Sequence, residues 1–303
     1  MPRLRRLSTG GMVAGVLLVL CSISSVQFGA SIAKTLFDRI DPAALTLLRL
    51  AIAAVVMLLI ARPDIRSWNR AAWRSILFLG LALAGMNLLF YLALPRIPIA
   101  VAVTLELIGP LVVALSHSKR PIDFAWVGLA VAGVGVLGVQ SFDGSLDPLG
   151  VVLALAAGGC WAAYILASAS VGRHVQGVGG LAGALVIATF AVLPFGLLGV
   201  VGAVSADPTV LLPAFAVAML SSAIAYGLEM LALRRVPTRV FGILMSAEPA
   251  AAAIFGFLVI GELLTGLDVL ALALVVAASA GVAITAARAR PMPPETGQMP
   301  LVP

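Results

Sequence analysis

Charge is scarce in this sequence: 11% of its 303 residues are Asp, Glu, Lys or Arg, against about 25% in an ordinary globular domain. A soluble fold needs charged side chains to coat its outside, and with 62% apolar residues the chain cannot supply that coat. A water-soluble globular protein is excluded. Cysteine is nearly absent, and the two present, Cys21 and Cys160, fall inside apolar runs. A disulfide framework needs more cysteines in a small secreted chain, so both are expected to be small core residues. The two histidines, His117 and His174, are expected as isolated loop residues, which leaves no metal site and implies no cofactor. There is no phosphate-binding Gly-rich loop ending in Lys-Ser/Thr, so ATP hydrolysis is excluded. Nor is there a cluster of His, Asp or paired carboxylates near an interface, as a membrane enzyme would show. No catalytic residue is expected.

What is present is apolar length. Hydrocarbon about 30 Å thick needs roughly 20 apolar residues per helical span. Runs of that size lie at 12–33, 42–61, 75–94, 98–116, 122–140, 149–170, 180–201, 210–232, 238–260 and 266–287. The first run follows Arg3, Arg5 and Arg6 but is too long for a signal-peptide core. The expected fold is therefore an all-α integral membrane protein of ten transmembrane helices. Its net charge of +6 is dispersed between spans rather than gathered into a basic patch, so no nucleic-acid partner is expected. With the N-terminus cytoplasmic, fifteen of the nineteen Lys and Arg residues fall in inside segments and three, Lys34, Arg39 and Arg96, outside. That bias predicts a multi-pass membrane protein with both termini cytoplasmic. Arg62 to Arg74, carrying Trp68 and Trp73, is expected as an interfacial segment on the basic side.

The chain also repeats itself. Tyr91-Leu92-Ala93-Leu94-Pro95-Arg96-Ile97-Pro98 matches Met230-Leu231-Ala232-Leu233-Arg234-Arg235-Val236-Pro237 at an offset of 139, which also maps Val101 to Val240, Leu105 to Leu244 and Pro110 to Pro249. Spans 3–4 thus correspond to spans 8–9. The expected organisation is a cytoplasmic N-terminus (1–11), a first five-helix repeat (12–140), a second (149–287) and a disordered cytoplasmic tail (288–303). Five spans per half invert the second half relative to the first. Inverted repeats of this kind typify secondary transporters, with the substrate site at the repeat interface near the midplane.

Ionisable groups at membrane depth cost roughly 2.5–3.5 kcal/mol each on insertion scales. Four lie inside spans: Arg49, Glu106, Glu229 and Glu248. One cation cannot balance three carboxylates, so at least one glutamate is expected to carry a proton in the substrate-free protein. The alternative is a structural Arg–Glu pair with the remaining glutamates neutral and hydrogen-bonded. Pro110 and Pro249 mark matching interruptions, because a proline frees the carbonyl four residues earlier, here those of Glu106 and Met245. Each is a candidate hinge or a plain packing kink. Ser222, Tyr226 and Glu229 share one face of span 8, and Asn87 and Tyr91 one face of span 3. Gln27, and Trp161 with Tyr164, add polar edges for the same cavity or serve packing. An amino-acid substrate suits this inventory. Its carboxylate would pair with Arg49, its ammonium with Glu106 or Glu248, and a side-chain hydroxyl with Asn87, Tyr91 or Tyr226.

Three stretches carry a resemblance. They are Gly85-Met86-Asn87-Leu88-Leu89-Phe90-Tyr91-Leu92, then Glu106-Leu107-Ile108-Gly109-Pro110 with Ser118-Lys119-Arg120-Pro121-Ile122-Asp123-Phe124, and Leu228-Glu229-Met230-Leu231-Ala232-Leu233 continuing to Ser246-Ala247-Glu248-Pro249-Ala250. With the ten-span, two-repeat plan they resemble the EamA-type branch of the drug/metabolite transporter superfamily and, within it, the bacterial threonine/homoserine exporters. The resemblance covers residues 12–287 and implies efflux of small amino acids driven by the proton gradient. The arginine-rich start and proline-rich tail lie outside it. The competing expectation is an exporter of drugs, nucleobases or other metabolites on the same scaffold. Aromatic stacking would serve flat rings of that kind, and only 6% of residues are aromatic.

Overall fold

The computed structural model describes the backbone of residues 9–116, 121–142, 144, 146–175, 178–233, 235–236 and 238–289, and among these every regular element is helical. The first half comprises α1 (Thr9–Thr35), α2 (Pro42–Ala61), α3 (Arg70–Ala93), then the broken pair α4 (Ile99–Glu106) and α5 (Ile108–Ser116), and α6 (Pro121–Phe142). The rest comprises α7 (Pro148–His174), α8 (Gly179–Ala206), the run α9 (Leu211–Ala218), a π-helical segment (Met219–Ile224) and α10 (Ala225–Leu233), the broken pair α11 (Thr238–Met245) and α12 (Glu248–Ile260), and α13 (Gly266–Ala289). Eight apolar stretches among these are long enough to cross a membrane, and two shorter ones lie at Ile99–Val113 and Phe124–Gln140. At 1.5 Å rise per residue, the 24 residues of α3 reach about 36 Å, enough for the hydrocarbon and part of an interface.

Local chemistry sets the helix ends. Asp41 caps α2 by accepting from Ala43 N at 2.8 Å, with Pro42 in the first turn, where its missing N–H costs no bond. Asp147 and Pro148 repeat the device at α7, and Asn69 accepts from Ala72 N at the start of α3. Gly261, at φ 71°, ends α12 in the left-handed conformation that glycine tolerates.

Both broken spans interrupt at positions that the 139-residue offset makes equivalent. Pro110 offers no N–H to the Glu106 carbonyl, and Leu107 stands as a single turn residue whose N–H bonds Val103 O at 3.0 Å. In the second half, Ser246 and Ala247 bond back three residues, to Ile243 O and Leu244 O, before α12 begins at Glu248. Pro249 falls in the first turn of that new helix.

The two halves interleave through equivalent surfaces. α2 lies along α8 and α6 along α13, each a pair of repeat counterparts, and α4 of the first broken span lies along α12 of the second. α3 packs on α7, and the counterpart contact is α1 on the run from α9 to α10. This is a pseudo-two-fold arrangement, and an odd number of spans per half inverts one relative to the other. Close approach depends on small residues, as is usual between membrane helices. A Cβ on Gly109 would sit 1.8 Å from Gly158 O, so the α5 and α7 backbones touch there. Large apolar side chains such as Phe78, Phe195, Leu198 and Leu212 point outward, a surface that suits lipid and not water.

The end of the molecule away from the termini is tied together. Arg39 pairs with Asp207 (2.5 Å), Arg96 with Asp147 (2.8 Å) and Lys34, in the last turn of α1, with Glu262 (2.5 Å), so each bridge joins segments that lie far apart in sequence. The Arg96 hydrogen bond and the capping bonds hold the Asp147 carboxyl below the usual carboxylate range; Thr209 and then Arg39 do the same for Asp207. Beneath this layer Ala33, Leu94, Ile97, Ile99, Val101 and Leu105 are buried in the largest apolar cluster.

Two expectations need correction. Cys21 is exposed on the outer side of α1 rather than in the core, because the inward face of that helix is set by Val19, Ser22, Ile23 and Gln27. His174 is not a loop residue: it closes α7, with Nδ1 2.9 Å from the Ser170 carbonyl. His117 and the tail beyond residue 289 lie outside the described residues.

Candidate functional site

The helix interruptions converge on one half-open cavity. A cavity of about 180 Å³ lies between α1, α2, α3, α7, the α4 end, the π segment, α10 and the α11–α12 break. The sequence-derived candidates arrive there from separate elements: Gln27 from α1, Arg49 from α2, Asn87 and Tyr91 from α3, Tyr164 from α7 and Glu229 from α10. Glu106 is the last residue of α4 and Glu248 the first of α12, so the two breaks deliver them. Tyr226 belongs to α10, and its side chain lies outside the described residues. Pro110 and Pro249 flank the breaks and do not line the space.

The charge layout is unusual for a buried site. Arg49 is 7% exposed and makes no ion pair among the described residues. Its guanidinium carbon instead sits 4.5 Å from the centroid of the Tyr91 ring, a cation–π contact that gains strength when desolvated. The expected alternative of a structural Arg–Glu pair is therefore absent among the described residues. The macrodipole of α12 puts partial positive charge beside Glu248, and that of α4 puts partial negative charge beside Glu106.

Glu229 is held by Ser22, whose single hydroxyl proton is shared between its Oε1 and Ala225 O, both 3.1 Å from Oγ. Ser25 donates to Leu220 O at 2.8 Å. These two α1 hydroxyls thus serve carbonyls of the π segment and its junction with α10. A π turn inserts one residue into the helix and often marks a functional site. Here it also changes which serine lines the cavity. Regular 3.6-residue spacing groups Ser222 with Glu229, but the extra residue shifts the phase and Ser221 takes the cavity wall. Asn87 donates from Nδ2 to Leu83 O at 2.7 Å, which leaves its Oδ1 as the remaining acceptor.

Buried polar atoms are nearly always paired. Among the described residues five buried side-chain atoms have no partner, and four of them belong to this cavity: Gln27 Oε1, Arg49 Nε, Tyr91 Oη and Ser221 Oγ. A basic group, three carboxyls and unpaired neutral groups in one cavity suit a small polar ligand of mixed charge. Among the described residues no group of His, Cys, Asp and Glu is arranged to hold a metal ion. Ser22 and Ser221 have no sequence signal beyond their apolar surroundings, since their roles depend on the α1 contact with the π turn.

Comparison with known proteins identifies relatives of this arrangement. The model of the EamA-like transporter family matches twice, over residues 13–140 and 148–284. The threonine/homoserine exporter RhtA of Salmonella typhimurium (strain LT2) is 43% identical over 279 residues, covering 90% of this chain and 92% of its own. The threonine/homoserine exporter RhtA of Escherichia coli (strain K12) is 42% identical over 275 residues, covering 89% and 91%. A solved crystal structure 21% identical in sequence superposes with a TM-score of 0.61, covering 93% of this chain and 99% of that one, and shares the fold.

Proposed function

The chain belongs to the EamA-like transporter family, and on that premise we propose that it exports small amino acids such as threonine and homoserine across the bacterial inner membrane by proton antiport. One observation carries the reading: Arg49 is buried with no anionic partner among the described residues, in the same cavity as Glu106, Glu229 and Glu248. A zwitterion answers that layout. Its carboxylate completes Arg49 in a charge-assisted pair, and its ammonium meets Glu106 or Glu248, which stand at the two helix breaks. Asn87 and Tyr91 face the remainder of the ligand, with Gln27 and Tyr164 at the edges, and Tyr226 is assigned to the same ligand on its sequence position alone.

Protons enter through the same carboxyls. A cavity with three glutamates and one arginine cannot keep all of them charged at low dielectric, so arrival of an ammonium releases a proton and its departure lets one bind again. The repeats, 12–140 and 149–287, rock about the site, with the interruptions beside Pro110 and Pro249 as hinges. Fifteen of nineteen Lys and Arg residues lie on one side of the spans, which supports a cytoplasmic position for both termini.

Cells overproducing the chain and fed a threonine-containing dipeptide test this reading. Threonine should leave them faster than empty-vector cells, and a protonophore should collapse the difference. With membrane levels matched, Arg49→Ala and Glu248→Ala should abolish the gain. Full export by either variant would sink the site assignment; no gain from the wild-type chain would sink the substrate.

A further inference from the structure

Helical hydroxyls in this protein have a regular destination. Thr46, Thr104, Thr189 and Ser31 each donate to the carbonyl four residues earlier, at 2.8, 2.6, 2.8 and 2.9 Å. That back-bonding is the default for a hydroxyl on a buried helix. Ser221 departs from it: its residue is only 7% exposed, yet Oγ has no partner and the side chain lines the cavity.

Ser221 sits inside the π segment, Met219–Ile224, which α1 grips on both sides: Ser25 donates to Leu220 O and Ser22 to Ala225 O. The contact is tight: a Cβ on Gly29 of α1 would lie 2.3 Å from Ser221 Oγ. A glycine on one helix and a rare turn on the other therefore hold one free hydroxyl at the cavity wall. From the same α1, Gln27 is 3% exposed, and its side-chain oxygen is also unpartnered.

We propose that Ser221 and Gln27 form the side-chain subsite of the cavity and read the hydroxyl of the transported amino acid. The inference rests on the amino-acid reading of the same site and adds the group that sets its preference. A hydroxyl is one donor and two acceptors. It donates to the Gln27 oxygen and accepts from Ser221, so two otherwise orphaned groups are completed together. A ligand without the hydroxyl leaves both unpaired, and sites built to bond a hydroxyl reject the analogue lacking it far more strongly than apolar pockets reject an extra methylene. Threonine and homoserine share one deoxy analogue, 2-aminobutyrate. Their hydroxyls sit on neighbouring carbons, a spread that a rotatable serine and a long glutamine can follow.

The test is the ratio of threonine to 2-aminobutyrate export, measured with the full chain in proteoliposomes loaded with each labelled amino acid. The wild type should favour threonine. Ser221→Ala, and independently Gln27→Met, should lower that ratio about fivefold, the worth of one neutral hydrogen bond. The second variant carries the test if the first disturbs the π turn. An unchanged ratio in both variants, whether or not absolute rates fall, overturns the subsite while leaving amino-acid export standing. A wild-type chain that moves neither compound overturns the amino-acid reading and this one with it.

Discussion

Replacing Glu262 should loosen the end of the protein away from its termini, by an amount that the local bonding sets. Its Oε1 is 2.5 Å from Lys34 Nζ, and its Oε2 accepts from Ile99 N at 2.9 Å. Lys34 also donates to Ile97 O at 2.8 Å. One carboxylate thus joins the end of α1, the start of α4 and the α12–α13 connection. The two side chains are 18% and 16% exposed, so neither the near-zero value of a surface pair nor the full cost of breaking a buried one applies. Glu262→Ala strips the acceptor from Ile99 N and the counter-charge from Lys34, a loss of about 2–3 kcal/mol. Glu262→Gln keeps an acceptor and loses only the charge, about 1 kcal/mol. At about 2 °C per kcal/mol for a chain of this length, thermal unfolding in detergent should fall about 4–6 °C for alanine and about 2 °C for glutamine. In a double-mutant cycle, Lys34→Met should remove most of the penalty of Glu262→Gln. Equal shifts for alanine and glutamine, or a cycle additive to within about 0.5 kcal/mol, would refute the shared-knot account.

Gly109→Ala should be poorly tolerated, because its Cβ would meet Gly158 O at 1.8 Å and force α5 off α7 beside Glu106. A loss of about 1–3 kcal/mol or more is expected, read as reduced membrane yield and a lower unfolding temperature; a wild-type yield and temperature would contradict the crossing. The Arg96–Asp147 bridge should depend on acid. The Asp147 carboxyl is held below its ordinary value of about 3.9. Its stabilisation is therefore present above that value and disappears as the pH falls through the lower, folded one. Asp147→Asn should be less stable than the wild type at neutral pH, and the two unfolding temperatures should converge in acid. A gap that persists there would mean the effect is not the carboxylate's.

Much of the span architecture is legible in the sequence because its signals are local. Apolar length marks a crossing, and a proline lacking its N–H marks an interruption, so the breaks at Leu107 and Ser246 are visible through Pro110 and Pro249. Arg49, Glu106, Glu229 and Glu248 stand out because ionisable groups in apolar runs are costly, and the structure gathers them around one cavity. What is not legible depends on pairings across the chain. Periodicity selects Ser222, and the π turn puts Ser221 in its place. Nothing near Lys34 in sequence points to Glu262, since the bridge closes only when the two repeats interleave. Cys21 is misread from sequence because an apolar run that is hydrophobic all round does not reveal which face meets lipid.

Threonine flux in proteoliposomes containing only the purified chain tests the central claim most directly. An imposed proton gradient should drive labelled threonine uphill in wild-type vesicles, and Arg49→Met vesicles with the same protein content should show no uptake above protein-free controls. Gradient-driven uptake that survives the loss of Arg49 would contradict the account, as would wild-type vesicles that move no threonine.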